Sequence, residues 1–214
     1  MVRRGNLPGR YQTSTDLNLQ PLIDHFESYM PFEESEKQLL APRITQRSIR
    51  RRQTLLQEGF PCKQYSFTVE GCFRLFAVDQ KGTEHNLQFA ADNDRPEARW
   101  IADIGSFHSG RPSRLFIEAI EPSVVLQIEK QDLYFLYLNI PKLDRIFKVI
   151  MENNYVELQN RVLQTISSTA QERYLTFLEQ YPGLAVRLPN TQIASYLGIT
   201  PEFLSKIRKD LASS

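Results

Sequence analysis

Hydrophobic positions change their period along this chain, and the change divides it. Across residues 19–41 the spacing is helical: Leu22, Ile23 and Phe26 share a face, Pro31 breaks the pattern, and Leu39 and Leu40 close a second short helix. Across residues 43–129 short runs rich in Ile, Phe, Val and Tyr replace it, punctuated by Glu58-Gly59, Glu70-Gly71, Lys81-Gly82 and Ser109-Gly110. Phe67 and Val69, then Phe73, Leu75 and Ala77, then Leu87 and Phe89 alternate with polar neighbours as half-buried strands do, and Phe116, Ile120, Val124, Leu126 and Ile128 continue the series. An antiparallel roll or sandwich is the predicted result.

Helical spacing then returns. A short helix over residues 132–138 precedes a long one that Pro141 opens and that runs to about Ile166, with Leu143, Ile146, Phe147, Ile150, Leu158, Val162 and Ile166 in a stripe interrupted at Asn153 and Asn154. A helix this long exceeds what a small domain needs. It reads as a two-fold dimer helix with Leu143, Phe147, Ile150, Asn154, Leu158 and Val162 at the interface and an asparagine fixing register; the alternative is a helix packed along its own roll. Ser168-Thr169-Ala170-Gln171-Glu172 supplies overlapping capping boxes, and Tyr174, Leu175, Leu178 and Tyr181 carry a further helix to Pro182-Gly183. The expected division is an arm at 1–18, a roll domain at 19–139, a dimerisation helix at 140–166 and a C-terminal domain at 167–214.

That C-terminal domain carries the most informative pattern. Two short helical segments flank Leu197-Gly198-Ile199, with Gly198 at the turn, Thr200 placed as N-cap and Pro201 at the first helical position of the second segment. Leu204, Ile207 and Leu211 share one face; Ile193, Leu197 and Ile199 offer its partner surface, and Ala194 is small where two helices would cross. The opposite face carries Glu202, Ser205, Lys206 and Lys209, which suit base edges and phosphates. This is a helix-turn-helix signature, against the simpler reading of an αα-corner.

Composition narrows the classes. The 214 residues, 41% of them hydrophobic, suffice for one domain-sized core and a small second one. A net charge of +1 leaves no bulk basic field, so any DNA contact must be local. Arg50-Arg51-Arg52 invites a nucleic-acid reading, but its place just before Thr54-Leu55-Leu56 favours a solvated strand start. Cys62 and Cys72 form no Cys-x-x-Cys pair and read as free, buried thiols. No run reaches the roughly eighteen apolar residues of a membrane span and no apolar signal core follows Arg3 and Arg4, so a cytoplasmic protein with no membrane partner is expected. The opening residues lack periodicity and hold early Pro and Gly, as a mobile arm would. His25, His85 and His108 stand in no His-x-His pair and are assigned to surface or half-buried positions, with no metal; no Gly-x-Ser-x-Gly elbow, Walker loop or Cys-His pair supports an enzyme.

The order helix, β-roll, long helix, helix-turn-helix resembles the Crp/Fnr family of bacterial transcription regulators across about residues 19–211. Its most specific parts are Ala194-Ser-Tyr-Leu-Gly-Ile-Thr-Pro-Glu202 with Leu204-Ser-Lys-Ile-Arg208, and Asp103-Ile-Gly-Ser-Phe107 followed by Gly110-Arg-Pro-Ser-Arg114. The resemblance implies an α+β chain: an antiparallel β-roll of the cyclic-nucleotide-binding kind, a long dimerisation helix and a C-terminal winged-helix-like helix-turn-helix. It further implies a homodimer reading a palindromic double-stranded DNA operator. Pro201, Glu202 and Lys206 fall at its base-reading positions, with Thr200, Ser205 and Lys209 beside them. Only Val186-Arg-Leu188 is left to serve as a wing strand, so a rudimentary wing is expected.

The family's cyclic-nucleotide cassette is degenerate here. Ala102-Asp103 stands where Gly-Glu would, and Ser113-Arg114 where Arg-Ser would, so the arginine is displaced by one residue and can face the other way. Asp103, Gly105, Ser113 and Arg114 are the candidate effector-pocket residues, but the better reading is that Asp103 and Arg114 cap a helix and cover the roll. Two cysteines exclude the four-cysteine iron–sulfur cluster of oxygen-sensing relatives. No cofactor is expected; an unidentified small-molecule effector and, for an activator, RNA polymerase are the implied partners. The competing readings are a ligand-binding or interaction module that no longer reads DNA, and a regulator that does bind cyclic AMP.

Overall fold

A computed structural model describes residues 17–92 and 96–213. The expected N-terminal arm lies, apart from its last two residues, outside them. The elements follow as α1 (Gln20–Glu27), α2 (Glu34–Leu40), β1 (Ile44–Ile49), β2 (Thr54–Leu56), β3 (Gln64–Glu70), β4 (Cys72–Val78), β5 (Glu84–Ala91), β6 (Trp100–Ile101), α3 (Ile104–Ser109), β7 (Phe116–Ala119), β8 (Ser123–Glu129), α4 (Lys130–Asn139), α5 (Pro141–Ser167), α6 (Ala170–Gln180), α7 (Pro182–Arg187), α8 (Asn190–Leu197) and α9 (Pro201–Ala212).

The strands form two four-stranded sheets, ordered β1-β8-β3-β6 and β2-β7-β4-β5, and every pairing among them is antiparallel. Turn glycines set the connections. Gly71, between β3 and β4, has φ +88 and a Cβ there would lie 2.2 Å from the Ser123 Oγ, so both conformation and space demand glycine.

The alternation in the strands leads one to expect half-buried sheets, and the structure differs. Tyr65, Ser66, Phe67 and Thr68 are all buried, as are Cys72 through Phe76. Both sheets are covered on both faces, so polar positions in the alternation are buried too. On the first sheet, Tyr65, Phe67, Leu126 and Ile128 join a core with Leu22 and Phe26 of α1, Trp100, and Leu143, Ile146, Phe147 and Ile150 of α5. On the second, Cys72 and Phe89 pack with the C-terminal helices. Leu87 and Phe89 therefore do not face the roll interior as their spacing predicts. A bulge at Leu75 and Phe76 shifts the β4–β5 register, Leu87 is exposed, and Phe89 stacks near Tyr196 at 5.3 Å between ring centroids.

His25 also departs from its expected surface or half-buried position. It is buried in the aromatic core, and Trp100 donates its indole N–H to His25 Nε2 at 2.9 Å, which requires an unprotonated acceptor nitrogen. Burial chiefly, with the positive Arg99 nearby, pulls its pKa from the ordinary 6.5 to about 4. The unfolded chain therefore takes up this proton first as the solution is acidified. Stability is full above pH 6.5 and declines as pH falls toward 4, by up to about 3 kcal/mol. Urea midpoints at about pH 7.5 and pH 5 should show the loss, and His25→Gln, which keeps an acceptor for Trp100 and cannot titrate, should remove most of the difference.

Candidate nucleic-acid interface

The helix-turn-helix forms where the sequence places it. Leu197 ends α8, and Gly198 turns the chain in the left-handed region with φ +68 while its N–H reaches the carbonyls of Ala194 and Ser195. Thr200 then caps α9, its hydroxyl accepting from the Phe203 N–H, and Pro201 fills the first turn. Ile193, Ala194 and Leu197 of α8 bury against Leu204 and Ile207 of α9, together with Tyr174 and Phe177 of α6 and Tyr181 just after it. On the outer side of α9, Glu202, Ser205, Lys206 and Lys209 are exposed, with Thr200 exposed and Pro201 half-buried at its start. Sequence reasoning placed this face correctly because the helical period alone determines it.

The segment before α8 is helical, which corrects one expectation. The helix through Tyr174 ends at Gln180, just before Pro182-Gly183 as its pattern predicts, but Pro182 then opens α7, and Val186 and Arg187 lie within it, so they build no wing strand. Among the described residues no strand follows β8. Arg187 instead holds the domain to the roll, donating to Asp92 Oδ1 at 2.6 Å and to Glu121.

That contact is part of a larger docking surface, invisible in the sequence, that seats α8 against β5. Arg74 of β4 is only 5% exposed; its guanidinium donates to Glu84 at 2.6 Å, to Glu118 at 2.8 Å and to Gln192 of α8 at 3.2 Å. Asn86 donates to the Gln192 side chain at 2.8 Å and its backbone N–H donates to the Ser195 hydroxyl, which in turn donates to the Glu84 carbonyl. From the long helix, Arg161 donates to the carbonyls of Asn86 and Tyr196, each at 2.8 Å, and to that of Leu87, with its guanidinium over the Tyr196 ring. A strand-to-helix contact of this kind gives no short-range pattern; the lone hint was Arg74, a charge between apolar neighbours on a strand.

The roll cassette is closed on itself. Asp103 caps α3, accepting from the Ser106 N–H at 3.1 Å, and its other oxygen accepts from Ser113 Oγ at 2.6 Å. Ser106 Oγ donates to the Arg111 carbonyl and accepts from the Cys62 N–H. Ser113 is buried, and its hydroxyl also accepts from the Leu115 N–H at 2.9 Å. Arg114 is exposed, so it does not cover the roll as expected. Asp103, Gly105, Ser113 and Arg114 do not line a common cavity. The roll's cavity, of about 210 Å³, opens between the edge strands β1 and β2 and is lined by Arg47, Leu56, Gln64, Ser66, Ile117 and Gln127, among others.

The predicted dimer stripe divides in two. Leu143, Phe147 and Ile150 are buried in the protomer's own core and cannot serve a partner, because α5 is both a core helix and a projecting one. Asn154 is half-buried, while Leu158 and Val162 are exposed, joined by Tyr155 and Ile166, the last 79% exposed.

No protein-family model matches the chain. Over 170 residues, 74% of the chain, it is 23% identical to Electron transport regulator A of Shewanella oneidensis, and the match spans 65% of that protein, just under two thirds of its length. Among solved structures, a CooA variant from Carboxydothermus hydrogenoformans superposes with a TM-score of 0.68 at 16% identity, covering 95% of this chain and 88% of that one. A regulator of the Crp/Fnr family from Eubacterium rectale gives a TM-score of 0.62 at 13% identity, covering 89% and 88%. The chain shares the fold of Crp/Fnr regulators, a cyclic-nucleotide-binding-like roll joined by a long helix to a helix-turn-helix.

Replacing Arg161 by Met should leave three carbonyls without their donor and destabilise the chain by about 3 kcal/mol. Hydrogen exchange should report the loss in α8 and β5 first; unchanged protection of α8 would show that the docking does not depend on this side chain.

Proposed function

On that fold, we propose that the chain is a sequence-specific transcription regulator of the Crp/Fnr type, acting as a homodimer on a palindromic DNA operator. The observation that carries the reading is α9, which buries Leu204 and Ile207 and turns Glu202, Ser205, Lys206 and Lys209 outward as one polar face. A helix that had lost DNA reading would be free to gain apolar contacts there, and Phe203, 46% exposed, is the one large apolar side chain on that helix left open. In a major groove, Glu202 accepts from cytosine and Lys206 donates to guanine, while Lys209 meets phosphate. Lysine lacks the planar fork of arginine, which lowers base discrimination at that position.

The dimer would form along Tyr155, Leu158, Val162 and Ile166 of α5, in the part of the helix beyond the segment buried in the roll core. Such an exposed apolar stripe on a long helix is the pattern of a coiled-coil seam. Two α5 helices paired there would hold two α9 helices near one DNA turn apart, about 34 Å.

Cyclic AMP is a poor candidate effector, because the Asp103 to Ser113 hydrogen bond takes up the groups that would hold ribose and phosphate. The effector class is left to screening, with RNA polymerase as the partner if the regulator activates. No cofactor enters the reading.

Selection from randomised duplex DNA at a fixed salt near physiological should return a two-fold symmetric motif without added ligand; recovery of no motif, with or without candidate effectors, would remove the DNA-binding reading. On that motif, Lys206→Ala should cost about 1 to 3 kcal/mol and relax one base position, whereas Lys209→Ala should weaken all sequences evenly. The double variant Leu158→Glu with Val162→Glu should sediment as a monomer and lose the symmetric motif while keeping the fold. A variant that remained dimeric would place the interface elsewhere.

A further inference from the structure

We propose that Phe203 is a further specificity-determining residue, reading the C5 methyl group of a thymine beside the base that Lys206 meets; the inference deepens the DNA-binding reading above and rests on it. Phe203 is the third residue of α9, which opens at Pro201. It is 46% exposed, while Leu204 and Ile207 on the same helix are buried in the core shared with α6 and α8. Single exposed apolar side chains are ordinary on protein surfaces. This one differs by its place, because the first turns of a recognition helix are the part that meets base edges.

The backbone fixes where the ring begins. The Thr200 hydroxyl accepts from the Phe203 N–H at 3.2 Å, and Pro201 holds the first turn. With about 100° between successive residues, Phe203 stands about 100° from Glu202 and about 60° from Lys206 around the helix axis. It is therefore the neighbour of Lys206 one turn earlier, with Cβ atoms about 5 to 6 Å apart. Its place is the rim of the polar face, between Lys206 and the buried Ile207. Successive bases are spaced about 3.4 Å along the duplex, so a ring at that separation meets a base pair one or two steps from the one Lys206 touches.

The rest of the face leaves a gap that an apolar contact fills. Glu202, Ser205, Lys206 and Lys209 offer hydrogen bonds and charge. Arg208 is turned toward α6, its guanidinium 5.4 Å from the centroid of the Tyr174 ring. Two lysines against Glu202 give the face a small positive surplus, and a lysine at 206 separates bases less sharply than an arginine would. Of the four bases only thymine carries a methyl group in the major groove, and an apolar side chain recognises it without a hydrogen bond or a counterion. A ring on two rotatable bonds loses little freedom in doing so.

The test changes the DNA before it changes the protein. In the selected palindrome each thymine is replaced in turn by uracil, at both symmetric positions, which removes the methyl group and keeps every hydrogen-bonding edge. Wild type should lose about fifteenfold in affinity at one position, about fourfold per half-site, the worth of one methyl group returned to water. That position should lie one or two base pairs from the one at which Lys206→Ala relaxes preference. The loss should be the same at low and high salt, since no phosphate contact changes. Phe203→Ala should bind the thymine and uracil duplexes equally there, Phe203→Leu should restore most of the difference, and both variants should unfold at the temperature of wild type because the ring lies outside the core. A palindrome with no thymine in that place, equal binding of wild type to every uracil duplex, or a loss that persists in Phe203→Ala would overturn the proposal and leave the regulator reading intact. Weaker binding by Phe203→Ala without a thymine–uracil difference in wild type would likewise overturn it, assigning the ring to sugar-phosphate packing. Recovery of no palindrome at all would overturn both.

Discussion

Two guanidiniums, one buried and one half-buried, decide how this molecule is put together. Arg74, on the outer face of the second sheet, and Arg161, on the long helix, both converge on the small interface between β5 and α8. A buried cation is costly unless its hydrogen bonds are met, and each here is met from two domains at once: Arg74 by two roll carboxylates and Gln192, Arg161 by strand carbonyls and the carbonyl of Tyr196. Separating the domains would expose or orphan both. The helix-turn-helix is consequently a packed part of the protomer, with α8 as its floor and the polar face of α9 left outermost.

The roll shows the opposite use of polar groups. Asp103, Ser106 and Ser113 satisfy one another and the backbone around α3, so the segment is stable with nothing bound. A phosphate site needs donors left open in the empty protein, and a closed circuit of short hydrogen bonds has none to offer without first being broken. The contacts between the roll and the C-terminal helices lie elsewhere: the β4–β5 surface, Arg161, and the Arg187 bonds to Asp92 and Glu121.

Much of the architecture was legible from local pattern. The capping box at Thr169 and Glu172, the turn at Gly198, the cap at Thr200 and the polar face of α9 each depend on residues within a few positions of one another. What the sequence hid was non-local. Arg74 is buried beside Gln192 of α8, more than a hundred residues away, and no period within β4 announces it. His25 looked like an ordinary polar residue because its partner, Trp100, is seventy-five positions distant. Pro182-Gly183 marks the end of α6 as its pattern predicts, and with Pro at the first position it also opens α7, which is why Val186 and Arg187 form no wing strand.

The long helix shows why these non-local contacts bear on operator geometry. Its first half is fixed in the roll core by Leu143, Ile146, Phe147 and Ile150, so it cannot slide. Farther along, neighbouring residues stand about 100° apart, and the chain uses that angle: Arg161 points into the roll and α8, while Val162 points away with Leu158 and Ile166. One helix thus carries the anchor of the C-terminal helices and the open apolar stripe within a single turn of each other. Any partner that covers the stripe is placed, through Arg161, at a set distance and angle from α9. If that partner is a second copy, symmetry repeats the relation, and the separation of the two reading helices follows from side-chain packing along α5 with no flexible joint between them.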